Sequence, residues 1–482
     1  MKLFFSFFLL IILMSAITVF SGCANIVPPA GGPRDSTAPV LLKSVPVDST
    51  RNFKETRIAF TFDDYVEVQN IQQELLMSPT PKQMPEVNFR LNTVTVRIKD
   101  TLEANTTYTL DFGDAIKDIN EGNVLKNFTY TFSTGPYIDS LTFSGNVLLA
   151  ETGEIDSTMI VMLHSSSDDS SVVKEKPRYI TKLDSKGNFT FKNLPPQTYS
   201  VYALKDEGGA RLYTSEKQLF AFADSPVVIS AMVKPVTLYA YNSAAATSTS
   251  VSSSTVLTPG GRRGGGGPTA ADRRLRFSTN LTNNQQDLLG DFIISFEQSL
   301  KTFDSSKLTL FTDSTFTPVA NYRFIKDSTN KKIRLVQTPP AGQPVWKENT
   351  LYHLILDKDF AEDSTGKKLL RTDTLSFKTK NLADYGKLRI RFRNLDLSKN
   401  PVLLFIQGNN VTQSYPLNAV EFVRDLFLPG DYGLRILYDN NKNGKWDPGE
   451  FFGKHQQPEL VKPIDRKFII KPGWENEFEI AL

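Results

Sequence analysis

Hydrophobic and polar residues alternate along this chain in short runs that end in turn residues. Arg57-Ile58-Ala59-Phe60-Thr61-Phe62, Val94-Thr95-Val96-Arg97-Ile98, Tyr108-Thr109-Leu110-Asp111-Phe112 and Phe128-Thr129-Tyr130-Thr131-Phe132 show the pattern. A period of two puts every second side chain on one face, so each run predicts a strand with one buried face. Antiparallel sheets packed as sandwiches satisfy that pattern. The expectation is an all-β chain, and the 34 Phe and 16 Tyr agree with it, because aromatic residues suit a pleated, half-buried surface. At 482 residues the chain is too long for one core and must be modular.

An internal repeat gives the modules. Asn105-Thr106-Thr107-Tyr108-Thr109-Leu110, leading to Asp118, Gly122 and Phe132, returns as Asn349-Thr350-Leu351-Tyr352-His353-Leu354, leading to Asp363, Gly366 and Phe377. Leu194-Pro195-Pro196 with Tyr199, Val201, Tyr202 and Asp206 returns as Leu428-Pro429-Gly430 with Tyr432, Leu434, Arg435 and Asp439. The chain therefore reads as tandem β-sandwich domains in the order A, B, linker, A, B. The A units span residues 37–136 and 275–381, the B units 137–240 and 382–482, and the linker 241–274. From Asn242 to Arg274 the composition is Ala, Ser, Thr and Gly with Arg262, Arg263, Arg273 and Arg274, too little apolar surface to offset ordering entropy. A solvated spacer is expected there.

The N-terminus carries Lys2, an apolar run from Leu3 to Phe20, then Ser21, Gly22 and Cys23, the only cysteine. Residues 1–22 read as a signal peptide, against the alternative of a short membrane-spanning helix. Small residues directly before a lone cysteine resemble the lipobox of bacterial lipoproteins, although Phe20 stands where Leu is usual. The resemblance implies lipidation of Cys23 and a membrane attachment through acyl chains. The Pro- and Gly-containing stretch 23–36 would be the tether. Ala24, Asn25 and Ile26 follow, with no Asp beside the cysteine; by resemblance to sorting rules this favours the outer membrane, facing the periplasm.

Unit A resembles the bacterial immunoglobulin-like domain named after the S-layer protein SbsA. The residues that carry this are Pro39-Val40-Leu41 with Ser44-Val45-Pro46, the strand Ile58 to Phe62 followed by Asp63, the Asp118 to Gly122 turn, and the closing Phe132-Ser133-Thr134-Gly135. The second copy lacks the Pro-rich opening and matches mainly from Asn349 to Thr379. Unit B, through Ser144-Gly145-Asn146-Val147, Gly187-Asn188-Phe189-Thr190-Phe191 and Leu194-Pro195-Pro196, resembles prealbumin-like sandwiches of the carboxypeptidase regulatory type. The whole arrangement resembles Bacteroidetes lipoproteins described only as Ig-like domain proteins, a resemblance that implies no defined activity.

One motif carries candidate chemistry. Asp439, Asn441, Asn443, Lys445, Asp447 and Glu450 fall at positions one, three, five, seven, nine and twelve of an EF-hand-like loop, with Gly444 at six. Their oxygens, the Lys445 carbonyl included, are a candidate calcium shell; no cofactor is otherwise required. The alternative is an Asn-Gly hairpin whose polar residues bond their own backbone, since Leu434 to Tyr438 and Phe451 read as flanking strands. The matching turn Asp206-Glu207-Gly208-Gly209 has no such ladder.

Catalysis finds little support. His164, His353 and His455 stand alone in the sequence, no HExxH, GxSxG or glycine-rich phosphate loop is present, and Asp63 with Asp64 reads as a solvated turn. Lys plus Arg at 55 against Asp plus Glu at 52 gives no basic field for nucleic acid. The expectation is a non-catalytic envelope lipoprotein acting as a structural or protein-interaction module with envelope proteins as partners. The alternative is a glycan-binding accessory lipoprotein, for which Trp346, Trp446 and Trp474 are too scattered to form an obvious platform.

Overall fold

A computed structural model describes residues 34–243, 274–337 and 344–482. The signal peptide, Cys23, nearly all of the tether and nearly all of the linker lie outside the described residues. The regular structure among the described residues is almost entirely strand, with two four-residue α-helices, Ile71–Glu74 and Ser171–Lys174, and three single-turn 3-10 helices. These are tandem β-sandwiches, as the alternating pattern predicts.

In the first A unit a sheet in the order Leu41–Val45, Arg57–Phe62, Thr93–Arg97, Glu86–Arg90 packs on Leu76–Ser78, Thr107–Asp111, Thr129–Ser133. The second A unit repeats it with Phe277–Thr279, Phe292–Phe296, Lys332–Gln337, Tyr322–Lys326 against a sheet holding Leu308–Thr312, Leu351–Leu356 and Asp373–Thr379. Alternation sends Ile58, Phe60 and Phe62 inward in one and Phe292, Ile294 and Phe296 in the other. Burying each such side chain stabilises by about 1.5–3 kcal/mol.

The B units share a second topology. In the first, Leu141–Leu149 lies between Asn188–Leu194, antiparallel to it, and Val236–Ala240, parallel to it. In the second, Gly386–Arg393 lies between Glu421–Phe427, antiparallel, and Glu475–Ala481, parallel. The facing sheets run Tyr179–Lys182, Ile160–His164, Thr198–Leu204, Phe220–Phe222 in the first, and Asn410–Pro416, Pro401–Gln407, Gly430–Tyr438, Leu460–Ile470 in the second. The internal repeat is thus a repeat of strand order.

Each A unit is fastened to the B unit that follows it. Arg178 bonds both carboxylate oxygens of Glu103 at 2.7 and 2.6 Å, and Lys182 meets Glu74 at 2.6 Å. Between the second pair, the Tyr385 hydroxyl donates to Asp287 at 2.9 Å and accepts the Leu288 N–H at 2.7 Å.

The two B units also pack on each other. Met162, Tyr202, Leu204, Phe220 and Phe222 project from the outer face of the Ile160–His164 sheet, and Phe451 of the second B unit is buried among them. Its ring lies 5.0 Å from Phe222, 5.2 Å from Phe220 and 5.6 Å from Tyr202. Around this plug, Gln457 donates to the Phe222 carbonyl at 3.0 Å and to Asp224 at 2.7 Å, His455 meets Asp169 at 2.6 Å, and Arg435 meets Glu154 at 2.9 Å. Phe451 belongs to no strand, in contrast to the flanking strand expected there; it sits in the irregular stretch between Tyr438 and Leu460.

Candidate metal loop

The loop begins where the strand Gly430–Tyr438 ends. Gly444 has φ +75° and Lys442 φ +64°, so the backbone turns through left-handed conformations, and at Gly444 the missing Cβ makes this cheap. Asp439 is buried. One of its carboxylate oxygens accepts the Asn443 N–H at 3.2 Å and the other the Gly444 N–H at 2.6 Å. The Asn441 and Asn443 side-chain carbonyls accept the N–H groups of Asn443 and Lys445 at 3.0 and 2.7 Å, while both amide nitrogens donate to one oxygen of Asp447 at 2.6 Å.

Glu450 is placed apart from these groups. It is exposed and pairs with Lys454 at 2.7 Å. The carboxylate that does reach the loop is Glu459, which the spacing argument missed because it lies nine residues beyond the motif. Glu459 is 3% exposed and accepts the N–H groups of Asn440 at 2.7 Å and Asp447 at 3.1 Å. Burial pushes its pKa up, and the nearby Asp439 and Asp447 carboxylates push the same way against two backbone N–H donors. In this arrangement the loop oxygens are engaged by its own N–H groups. Among the described residues no group of three or more His, Cys, Asp or Glu side chains is placed to hold a metal ion. The geometry fits a self-bonded polar turn; a calcium ion would have to replace several of those bonds.

The remaining single residues take structural places. His164 is buried with its Nε2 unpartnered, His353 shares a proton with the Ser376 hydroxyl at 2.8 Å and stacks on Phe316, and His455 belongs to the B–B contact. Asp63 and Asp64 accept the N–H groups of Val40 and Tyr65 at 2.7 and 2.6 Å. Trp346 is core, Trp446 is wedged with its indole N–H on the Glu459 carbonyl, and Trp474 is exposed under Lys471, so the three form no common surface. No helix among the described residues is long and apolar enough to cross a membrane.

The sandwich geometry of the first A unit agrees with what its sequence is similar to. Residues 35–134 match a bacterial Ig-like domain. No curated protein matches the chain. Among solved structures, the N-terminal part of the bacterial S-layer protein SbsC is 19% identical over 35% of this chain and 40% of that one, with a TM-score of 0.16. The Bacillus anthracis TIE protein is 12% identical over 94% of this chain and 76% of its own, TM-score 0.17. BcpA, the major pilin subunit of Bacillus cereus, is 8% identical over 70% and 99%, TM-score 0.16. This chain spans well under two thirds of the SbsC fragment.

Proposed function

We propose that the chain is a non-catalytic structural or protein-interaction module of a bacterial envelope, anchored through lipid on Cys23 to the outer membrane and facing the periplasm. The observation that supports this best is the tandem of sandwiches, the first matching an Ig-like domain, whose buried carboxylates Asp118 and Asp363 are used up in closing turns. Such folds present loops and strand edges, the parts of a sheet protein that partners engage. The lipidated tether 23–36 would keep the sandwiches near the bilayer. The loop from Asp439 would be a weak calcium site that stiffens the B–B contact.

The test is chemical cross-linking in intact cells that express the full chain, followed by solubilisation and mass spectrometry. Cross-linked envelope proteins are the expected product; co-purifying polysaccharide without protein would favour the glycan-binding alternative instead. Cys23→Ser should move the chain out of the membrane fraction and abolish labelling by a palmitate analogue.

A further inference from the structure

The first A unit carries an apolar tip that the second lacks. At one end of the first sandwich, three backbone hydrogen bonds gather its turns. The Tyr65 carbonyl accepts the Ile119 N–H at 3.0 Å, the Leu91 carbonyl accepts the Val66 N–H at 3.0 Å, and the Val40 carbonyl accepts the Asp63 N–H at 3.1 Å. The same three bonds recur in the second unit. There Ser299 accepts from Ser364 at 2.8 Å, Asn330 from Leu300 at 2.8 Å and Arg276 from Glu297 at 3.4 Å. The pairing of Val66 with Asp118 and of Leu300 with Asp363 fixes the match.

Position by position, Val40, Tyr65, Leu91 and Ile119 are therefore replaced by Arg276, Ser299, Asn330 and Ser364. Each of the first four is half or more exposed. Scattered apolar residues on a surface need no explanation, but four gathered at places that are polar in the sister unit do. Leu91 says the most. Its backbone is left-handed at φ +53°, as is that of Asn330 at +56°. Asparagine is at home in that conformation and leucine is not, so a leucine is kept in water here at the expense of the turn.

This tip is also where the chain arrives. Arg34 donates to the Glu121 carbonyl at 3.0 Å, and the Asp35 carbonyl accepts the Asn123 side-chain amide at 3.2 Å, which lays the first described residues on the turn that follows Ile119. Arg34 stands eleven residues past Cys23, a contour length of at most about 40 Å. That is comparable with the width of one sandwich domain, so lipid on Cys23 would hold this end of the first unit against the bilayer surface. The second A unit, reached only after the first B unit and the linker, is under no such constraint.

We propose that Val40, Tyr65, Leu91 and Ile119 form a membrane-contacting tip that seats the first A unit on the bilayer holding the acyl chains of Cys23. The inference rests on the lipoprotein reading and adds an orientation to it. The side chains suit the headgroup boundary, where aliphatic groups reach the acyl layer and a tyrosine keeps its hydroxyl in the polar one. Asp63 and Asp64 belong to this end as do Arg34 and Arg90, so charge supplies no preference for anionic lipid and the contact is apolar. Weak insertion is enough, because the tether makes it an intramolecular event at high effective concentration.

The experiment uses the full chain purified from membranes and reconstituted into phosphatidylcholine vesicles that carry a nitroxide lipid labelled near the headgroup. Cys23 is the only cysteine, so once it is acylated an introduced thiol is labelled alone. Leu91→Cys and, separately, Asn330→Cys would each carry the fluorophore NBD. Quenching at position 91 should be at least threefold stronger than at position 330, and should persist at high salt and without phosphatidylglycerol. Tyr65→Ser with Ile119→Ser installs the residues of the second unit at exposed positions and should bring quenching at 91 down to the level at 330 with the unfolding midpoint unchanged. Equal quenching at the two positions, or quenching untouched by the two substitutions, overturns the proposal. So does shielding of the label at 91 from iodide before vesicles are added, which would mean that the chain covers its own tip, and so does quenching that needs added envelope protein. Mass spectrometry of the N-terminal peptide separates the two levels of the argument. With acyl chains present and quenching absent, only the tip assignment fails; without acyl chains on Cys23, the anchor reading fails and the proposal falls with it.

Discussion

Asp118 and Asp363 hold the same turn in the two A units. Both are almost completely buried, and each carboxylate gathers the backbone that follows it. Asp118 accepts the N–H groups of Glu121, Gly122 and Asn123 at 2.6, 2.9 and 2.8 Å, and Asp363 those of Thr365 and Lys367 at 2.8 and 3.0 Å. Burial alone would raise both pKa values, yet these bonds favour the charged form and the balance is downward.

Replacing either residue with Ala should therefore strand the N–H groups and destabilise its unit by about 1–3 kcal/mol. The sign with pH follows from the lowered pKa values. The stabilisation is present above the ordinary aspartate value and is lost as pH falls through the folded-state value. Chemical denaturation at pH 7 and pH 3 checks both points: Asp118→Ala should cost clearly less at pH 3 than at pH 7, and an equal cost would refute the carboxylate's role.

Much of this was legible in the sequence. The turn aspartates repeat at matched distances from Phe132 and Phe377, and alternation places the strand faces because side-chain period and burial are the same fact in a two-sheet sandwich. The B–B contact was not foreseen, although it leaves a trace. Met159 to Leu163 and Val402 to Ile406 are unbroken apolar runs, which means a sheet covered on both faces rather than one. Glu459 was hidden for another reason, since a residue brought to a loop by a returning strand has no fixed spacing from it.

Phe451 should behave as the plug between the halves of the molecule. With a protease site inserted between Gly264 and Gly267, cleavage of the wild-type chain should leave two fragments that co-elute, because the buried rings and the His455, Gln457 and Arg435 contacts outlast the linker. Phe451→Asp should release them by placing a charge among Phe220, Phe222 and Tyr202. Gly153→Val offers a second route, as a Cβ there would meet the Pro463 ring at 2.2 Å. Gel filtration of the cleaved proteins decides; separation of the wild-type fragments would count against a stable contact.

His164 should make the protein acid-sensitive. Burial without a partner for Nε2 lowers its pKa from 6.5 to about 4. The unfolded chain then binds a proton that the folded chain refuses, so stability falls as pH drops from about 6.5 towards 4 and this contribution levels off below that. The loss is at most on the order of 3 kcal/mol. His164→Leu should flatten the midpoint of thermal unfolding between pH 7 and pH 4 relative to wild type. An unchanged slope would assign the acid sensitivity to other groups.

Calcium separates two readings of the Asp439 loop. If the ion binds, it gathers Asp439, Asp447 and Glu459, relieving the mutual repulsion that helps hold the Glu459 pKa up, and replaces loop N–H bonds with metal–oxygen bonds. Calcium at 100 times its dissociation constant would add about 2.7 kcal/mol to folding, visible as a raised unfolding midpoint of the full chain. Magnesium should do less, since its small octahedral shell suits such a loop poorly. The ligand set is then read from variants. Asp439→Ala should abolish the gain, Glu459→Gln should remove most of it, and Glu450→Gln should leave it nearly intact, because Glu450 is turned outward onto Lys454. Loss with Glu450→Gln and not with Glu459→Gln would mean that the loop rearranges to the spacing its sequence suggests. No stabilisation by calcium up to about 10 mM, beyond the millimolar constants of weak extracellular sites, would leave the loop as a polar turn whose task is to carry Phe451 into the first B unit.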